Sequence, residues 1–179
     1  MKFILPSIFT FLFLSVGYSK EVVIDMLNKR DDGQKMVYSQ DIAKIDVGDT
    51  IKWLPTNKGH NVEFLGGPDG FELPAKSGLN KEVSITFDKP GVYLYVCTPH
   101  KVMGMIALVV VGGDVSNKDS ISKVKMMGRG KKKLAELLFG YSVSSGRAAS
   151  IQFISFGVSA DLVHYNQQLR LKIEQSIKR

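Results

Sequence analysis

The chain contains residues that could bind one soft metal ion. Its single cysteine, Cys97, is followed by His100 three residues later and then by the thioethers of Met103 and Met105. A second imidazole is available from His60, in the segment Gly-His-Asn-Val-Glu. Two imidazoles, one thiolate and a weak axial thioether are the ligands of a blue-copper electron-transfer centre. The residue types therefore predict a copper site, but they do not choose between the two methionines.

The number of histidines limits what such a site could do. The sequence contains His60, His100 and His164, so that only one remains if two bind the same metal. Catalytic or multinuclear copper sites need further imidazoles, and no histidine adjoins Cys97 in the sequence. These counts favour electron transfer through one metal ion over oxidase or reductase chemistry. We interpret His164 as a solvated helix residue rather than a ligand.

Residues 1–19 have the form of a secretory signal peptide. Lys2 precedes an apolar run over residues 3–16, and the small residues Gly17 and Ser19 follow it. The run is shorter than the roughly 20 residues of a membrane span, which disfavours a retained membrane anchor. We therefore predict a periplasmic protein. A lone cysteine has no internal disulfide partner in an oxidising compartment, so metal binding would account for it.

The positive charge of the chain lies in its C-terminal part. The formal net charge is +7. Residues 20–113 contain 11 basic and 12 acidic residues, a net of −1, whereas residues 114–179 contain 12 basic and 5 acidic residues, a net of +7, and Lys2 adds one more. The part that contains Cys97 is thus nearly neutral. No nucleic-acid partner is expected for an exported protein.

Residues 20–113 predict a β-sandwich. Segments rich in β-branched and aromatic residues alternate with Gly, Pro and Asp turns, as in domains built from many short strands. Residues 83–87 alternate clearly between apolar and polar, and the apolar run 106–111 suits a central strand covered on both faces. Tyr93 follows a Pro-Gly turn, where it could hydrogen-bond to upstream backbone at a corner between the sheets. The other predicted strands are 21–27, 42–47, 50–54, 61–65, 92–97 and 105–111.

The sequence pattern of residues 114–140 predicts two helices. We place the first after a cap at Ser116 or Asn117, reaching about Met126. The second covers residues 131–139, and Gly140 is well placed to end it.

Residues 141–179 predict a linker and then an amphipathic helix of unknown role. Residues 141–150 are rich in serine and glycine. From Ser159 onward one helical face is apolar, and basic residues could bring this helix to an anionic membrane or an acidic partner. The apolar residues of that face are Leu162, Tyr165, Leu169, Ile173 and Ile177.

Several motifs, in this order, resemble the pseudoazurins, a family of small exported cupredoxins. The resemblance covers about residues 21–140. It implies a mainly β fold, a cupredoxin-like Greek-key β-sandwich of about eight strands followed by two short helices packed against it. The motifs are Met-Leu-Asn-Lys at 26–29, Gly-Asp-Thr at 48–50, Lys-Gly-His-Asn-Val-Glu at 58–63, Pro-Gly-Val-Tyr at 90–93 and Cys-Thr-Pro-His-Lys-Val-Met-Gly-Met at 97–105.

The resemblance also implies the ligands and the activity. It implies one type 1 copper ion with the ligands His60, Cys97, His100 and Met105. The length of the loop over residues 97–105 favours Met105 over Met103 as the axial ligand. The chain would then be a single-electron carrier and not an enzyme. A copper storage or delivery protein is the alternative interpretation.

Two further residues resemble family positions near the copper. Asn61 would join the two ligand-bearing loops by a side-chain bond toward Thr98 and direct its backbone amide at the cysteine sulfur. The alternative for Asn61 is an ordinary turn asparagine. Met36 would pack against the ligand region, or else it is an ordinary core residue.

The resemblance implies transient protein partners, chiefly copper nitrite reductase, and a monomeric carrier. The edge of His100 would face the partner within a small apolar surface formed by Gly59, Pro99, Val102 and Met103. Lysines around that surface would steer acidic partners. The lysines to consider are Lys29, Lys58, Lys76 and Lys101.

Overall fold

Two four-stranded β-sheets form the body of the protein in the computed structural model, which describes residues 19–149, with 142–149 as backbone only. The two helices follow the last strand. The strands are β1 (Glu21–Lys29), β2 (Lys35–Tyr38), β3 (Ile42–Ile45), β4 (Thr50–Leu54), β5 (Glu63–Gly66), β6 (Val83–Thr86), β7 (Gly91–Val96) and β8 (Ile106–Val111), and the helices are α1 (Lys118–Ser122) and α2 (Gly128–Ala149).

The sheets face each other across an aromatic core. One has the strand order β2-β1-β4-β6 and the other β3-β8-β7-β5. β1 runs parallel to β4 and β3 parallel to β8, whereas the other neighbouring strands are antiparallel. Trp53 of β4 is fully buried at the centre, with its ring 5.2 Å from that of Tyr95 on β7. The core includes Cys97 and Met105, so the predicted site adjoins it.

The second sheet is covered on both faces. Along β7 and β8, alternate side chains point to the aromatic core, and those between them point to a second cluster. Leu134, Leu137 and Leu138 of α2 complete that second cluster, together with Ile121 of α1. Every residue of Ile106–Val111 is buried, which confirms the prediction of a central strand covered on both sides.

The prediction gives seven strands, and all seven occur in the predicted order. The prediction lacks the eighth, β2 (Lys35–Tyr38), in which the adjacent residues Val37 and Tyr38 are both buried, so that no alternation marks it. Its pairing with β1 extends β1 to Lys29, which lies opposite Lys35. β5 begins at Glu63 rather than residue 61, because the backbone of Val62 bonds instead to Ser77.

The helices differ more from the prediction. α1 ends at Ser122, four residues before Met126, and α2 begins at Gly128 and passes through Gly140 to Ala149. The predicted stop at Gly140, and the predicted linker over residues 141–149, are therefore wrong. A glycine inside a helix costs only about 1 kcal/mol. The side chain of the next residue, Tyr141, is buried, with its ring 5.1 Å from Nζ of Lys44.

Asn117 occupies the cap position of α1, as predicted, but its side chain is used elsewhere. Its amide accepts from the backbone N–H of Val92 at 2.8 Å and donates to the Val92 carbonyl at 2.7 Å. Tyr93 likewise has the predicted corner bond, because its hydroxyl donates to the backbone carbonyl of Lys89 at 2.7 Å. These three bonds hold the start of β7.

Some predictions concern residues that the structure does not describe. The predicted signal peptide falls there except for Ser19, and so do the amphipathic segment from Ser159 and His164. Over residues 19–149, neither helix combines the length and the hydropathy that crossing a bilayer requires.

Candidate metal centre

Four predicted ligands lie in two loops of the sandwich. Cys97 directly follows β7 and Met105 directly precedes β8, so a single loop contains three of the four. Within it the N–H of Cys97 donates to the carbonyl of Met105 at 3.0 Å, and the N–H of His100 donates to the carbonyl of Cys97 at 3.0 Å. His60 comes from the loop between β4 and β5. The antiparallel strands thus close the Cys–Met loop at its base.

Three of the four ligand atoms are close together. Sγ of Cys97 lies 3.6 Å from Nδ1 of His60 and 3.5 Å from Nδ1 of His100, and the two nitrogens are 3.2 Å apart. Donors about 2.0 to 2.3 Å from a metal in a trigonal arrangement would be about 3.5 to 3.7 Å apart. The donor set therefore fits one ion. Among residues 19–141, this is the group of His, Cys and acidic side chains arranged to hold a metal.

The fourth residue, Met105, is fully buried and belongs to the same core cluster as Cys97. Its backbone N–H donates to the carbonyl of His100 at 3.2 Å. Met103, by contrast, has 47% of its surface exposed. The two methionines are thus placed differently, one inside the protein and one outside.

Burial shifts the pKa of His60 and of Cys97. It lowers the pKa of His60, and the neighbouring His100 lowers it further, so the ring is neutral and can bind a metal. Burial raises the pKa of Cys97, while hydrogen bonds to its sulfur from the backbone N–H groups of Asn61 and His100 act in the opposite direction. A metal cation bound at the sulfur would favour the thiolate and so oppose the effect of burial.

Asn28 holds the His60 ring, a role that the sequence analysis missed. Its Oδ1 lies 2.9 Å from Nε2 of His60. Because an amide oxygen only accepts, Nε2 carries the proton and Nδ1 presents its lone pair toward Cys97. Asn28 lies at the end of β1, 32 residues before His60, and its own N–H donates to Oδ1 of Asn57 at 2.8 Å.

Asn61 joins the two ligand loops, as predicted. Its Nδ2 donates to Oγ1 of Thr98 at 2.9 Å, and its Oδ1 accepts from the N–H of Thr98 at 2.8 Å. The Thr98 hydroxyl donates to Glu63 at 2.9 Å, and Lys101 forms an ion pair of 3.5 Å with the same carboxylate. Backbone and side-chain bonds therefore fix Cys97 relative to His60.

The helix α2 supports the loop from its outer side. The 3₁₀ turn Lys101–Met103 packs against the start of α2. Gly130 is buried there, and a Cβ on it would overlap the carbonyl oxygen of Lys101. Met36, on the other side, is half-buried against the core cluster that contains Cys97 and Met105.

His100 reaches the surface, whereas His60 is completely buried. Gly59 borders the His100 ring closely: a Cβ on it would lie 4.0 Å from Cε1 of His100. Val102, Met103 and Pro99, which are close to His100 in the sequence, are all exposed. The residues predicted to form the apolar surface are thus solvent-accessible.

Comparison with known proteins identifies the family. Residues 24–112 match the model for copper-binding proteins of the plastocyanin/azurin family. A pseudoazurin of Methylorubrum extorquens is 44% identical over 107 residues, 59% of this chain and 71% of the relative. That of Paracoccus pantotrophus is 37% identical over 124 residues, 68% of this chain and 84% of the relative. The chain belongs to the pseudoazurin family.

The fold agrees with solved pseudoazurins. The crystal structure of pseudoazurin from Methylobacterium extorquens matches with a TM-score of 0.61 and 41% sequence identity, covering 67% of this chain and 98% of that chain. The predicted cupredoxin sandwich is therefore confirmed. As a pseudoazurin, the protein is a copper-dependent electron carrier and not an enzyme.

Proposed function

We propose that one copper ion is held by Nδ1 of His60, Sγ of Cys97, Nδ1 of His100 and the thioether of Met105. The observation that carries this assignment is the 3.2 to 3.6 Å separation of the three nitrogen and sulfur donors. Imidazole, thiolate and thioether are ligands suited to both common valence states of copper. The buried position of Met105 and the exposed position of Met103 support Met105 as the fourth ligand.

The bound copper would pass one electron at a time by alternating between Cu(I) and Cu(II). The task of the protein is to keep its ligands nearly fixed in both states. Cys97 and Met105 are joined by a backbone bond at the base of β7 and β8, and Asn28 and Asn61 fix the other loop. A site restrained in this way needs little rearrangement when the electron moves.

The electron would enter and leave through the edge of His100. The exposed surface beside it is apolar, formed by Pro99, Val102 and Met103. An apolar surface of this kind suits a small contact that forms and separates quickly, since transient redox contacts often bury less than about 1,200 Å² in total.

Lysines would guide an acidic partner to that surface. Lys29, Lys58 and Lys76 are exposed and have no ion pair within the part of the chain that the structure describes. Lys101 is paired with Glu63, so its charge is partly compensated. We therefore assign the steering to the first three lysines, which would raise the association rate at low salt.

The partner that fits this proposal is a periplasmic redox enzyme, specifically a copper nitrite reductase, and the carrier would act as a monomer. The test is stopped-flow oxidation of the copper-loaded, reduced chain by copper nitrite reductase. We expect bimolecular transfer that slows as salt is added. Absence of transfer would reject this partner. Rapid loss of copper to a weak chelator would instead favour the storage or delivery alternative.

A further inference from the structure

A segment outside the metal centre runs along the loop that contains His60. This segment, residues 77–80, lies in the connection between β5 and β6. At one end the N–H of Ser77 donates to the carbonyl of Val62 at 3.0 Å, and the Ser77 hydroxyl accepts from the N–H of Val62 at 2.9 Å. The carbonyl of Ser77 also accepts from Nδ2 of Asn61 at 3.2 Å.

At its other end the 77–80 segment is attached by Asn80. Oδ1 of Asn80 accepts from the N–H of Gly59 at 2.6 Å, and the N–H of Asn80 donates to the carbonyl of His60 at 2.9 Å. Each of the four residues 59–62 therefore has at least one hydrogen bond to this segment. The two bonds of Asn80 therefore hold the amide of the residue before His60 and the carbonyl of His60 itself.

Asn80 has an unusual backbone conformation. Its φ is 60°, in the left-handed region. Residues other than glycine seldom occupy this region, although asparagine tolerates it better than most, and such conformations persist where surrounding contacts fix them. Gly59, the residue it binds, also has a positive φ, of 96°. One hydrogen bond thus joins two residues with positive φ, and the conformation is unusual for Asn80 but ordinary for glycine.

Gly59, which bonds to Asn80, lies beside both histidine ligands proposed for the copper. Gly59 precedes His60 in the chain, and it borders Cε1 of His100, the ring that reaches the surface. Movement of the Gly59 backbone would therefore shift the buried ligand and open the packing beside the exposed one. Asn28 restrains the His60 ring and Asn61 restrains Thr98, but neither bonds to the Gly59 amide.

We propose that Asn80 is a positioning residue for electron transfer, which restrains the backbone of the His60 loop and so limits its rearrangement when the copper changes valence. This inference rests on the proposed function for its consequence in electron transfer. The restraint itself does not depend on copper.

The test compares three variants of the full chain. Asn80→Gly keeps the left-handed conformation accessible but removes the oxygen that binds Gly59. Asn80→Asp keeps an oxygen acceptor at that position. Asn117→Ala is the matched control, because it removes two side-chain bonds to the backbone of Val92 at the start of β7, while the ligand Cys97 follows the end of that strand.

Backbone amide exchange of the copper-free protein measures the restraint directly. In Asn80→Gly we expect the amides of Asn61 and Val62 to exchange about threefold to fivefold faster, as for the loss of one modest hydrogen bond. Asn80→Asp should restore the parental rates, and Asn117→Ala should leave them unchanged. Parental exchange in Asn80→Gly, or an equal effect of Asn117→Ala, would overturn the proposal.

The effect of this restraint on electron transfer is tested by the electron self-exchange rate of the copper-loaded protein, which NMR line broadening measures. We expect self-exchange in Asn80→Gly to be slower than in the parent by a similar factor, and self-exchange in Asn117→Ala to be unchanged. An unchanged self-exchange rate would overturn the role in electron transfer. Failure of the chain to bind copper would instead reject the proposed function, and the amide exchange would still decide whether Asn80 restrains the loop.

Discussion

Oδ1 of Asn28 lies 2.9 Å from Nε2 of His60, so a residue at the end of β1 sets which nitrogen of this ring faces the cysteine. The parallel pairing of β1 with β4 makes this contact possible. Both strands run toward the same end of the sandwich, and the loop that follows β4 contains His60.

Replacing Asn28 by Ala should therefore weaken copper binding. Without the amide oxygen, the His60 ring loses its fixed tautomer and orientation, and partners of this kind typically change metal affinity about 10- to 100-fold. Competition with a chelator of known affinity measures the change. Asn57→Ala, which removes the oxygen that binds the Asn28 backbone, should have a smaller effect. Equal affinities for Asn28→Ala and the parent would contradict the role assigned to Asn28.

Replacing Cys97 by Ser should abolish the intense visible absorption of the oxidised protein, because that absorption arises from thiolate bound to copper. Met105→Leu should retain the colour and change the reduction potential. Met103→Leu is the matched control, since Met103 is largely exposed and should alter neither property. Absorption spectra and voltammetry measure both effects. Persistent colour in Cys97→Ser would refute the assignment of the ligands.

Replacing Lys58 by Glu should slow association with copper nitrite reductase by about tenfold at low salt, and the difference should shrink as salt increases. Lys58 lies two residues before His60, at the end of the sandwich that contains the metal centre. Lys20→Glu makes the same change of charge before the start of β1, at the opposite end. Stopped-flow rates over a range of salt concentrations provide the comparison. Equal slowing by both substitutions would indicate an effect of net charge alone.

Asp41 should make part of the stability depend on pH. Burial would raise the pKa of Asp41, but hydrogen bonds from Arg30 and Lys133 outweigh it and lower the pKa below its ordinary value of 3.8. A carboxyl with a lowered pKa in the folded state stabilises the protein above its unfolded pKa, and that contribution is lost as pH falls through the folded pKa. The loss attributable to Asp41 therefore lies below about pH 4.

Replacing Asp41 by Asn should reduce the free energy of unfolding by about 1 to 2 kcal/mol at pH 7, since the pair with Lys133 at 2.7 Å is only partly exposed. The variant should also lose less stability than the parent between pH 4 and strongly acid solution. Denaturant unfolding at several pH values measures both. Asp69→Asn, at an exposed turn, is the control. A variant as acid-sensitive as the parent would exclude Asp41 as the source.

Replacing Tyr93 by Phe should lower the free energy of unfolding by about 1 kcal/mol, because it removes the bond to the Lys89 carbonyl. The reduction potential should not change, since the corner precedes β7 and Cys97 follows it. Thermal unfolding and voltammetry on the same preparation test the two statements. A shifted potential would show that Tyr93 influences the copper.

The segments that contain the four predicted ligands could be recognised from the sequence because the required chemistry is local. Cys97, His100 and Met105 lie within one loop, and the Asn61 bridge involves residues adjacent to two ligands. Asn28 and Asn80 could not be found in this way. Each acts on the His60 loop from a distant part of the chain, and only the pairing of strands and the course of the β5–β6 connection bring them there.

The helix boundaries show a different limit. Gly140 is a common signal for a helix end, but it stops a helix only when the chain turns there, and its φ is not positive. Directly after it, Tyr141 is buried in the second cluster, with its ring 5.1 Å from Nζ of Lys44 on β3, a position that the continued helix provides. Such a contact depends on where α2 lies on the second sheet, which periodicity alone does not reveal.

The parallel pairing of β3 with β8 has a consequence for maturation. The last strand of the sandwich must enter between β3 and β7, and Met105 directly precedes it. The four proposed ligands therefore come together only after β8 has docked between these two strands. Copper bound by these ligands would stabilise the complete fold relative to chains in which β8 is not docked, since a ligand that binds only the native form shifts the equilibrium toward it.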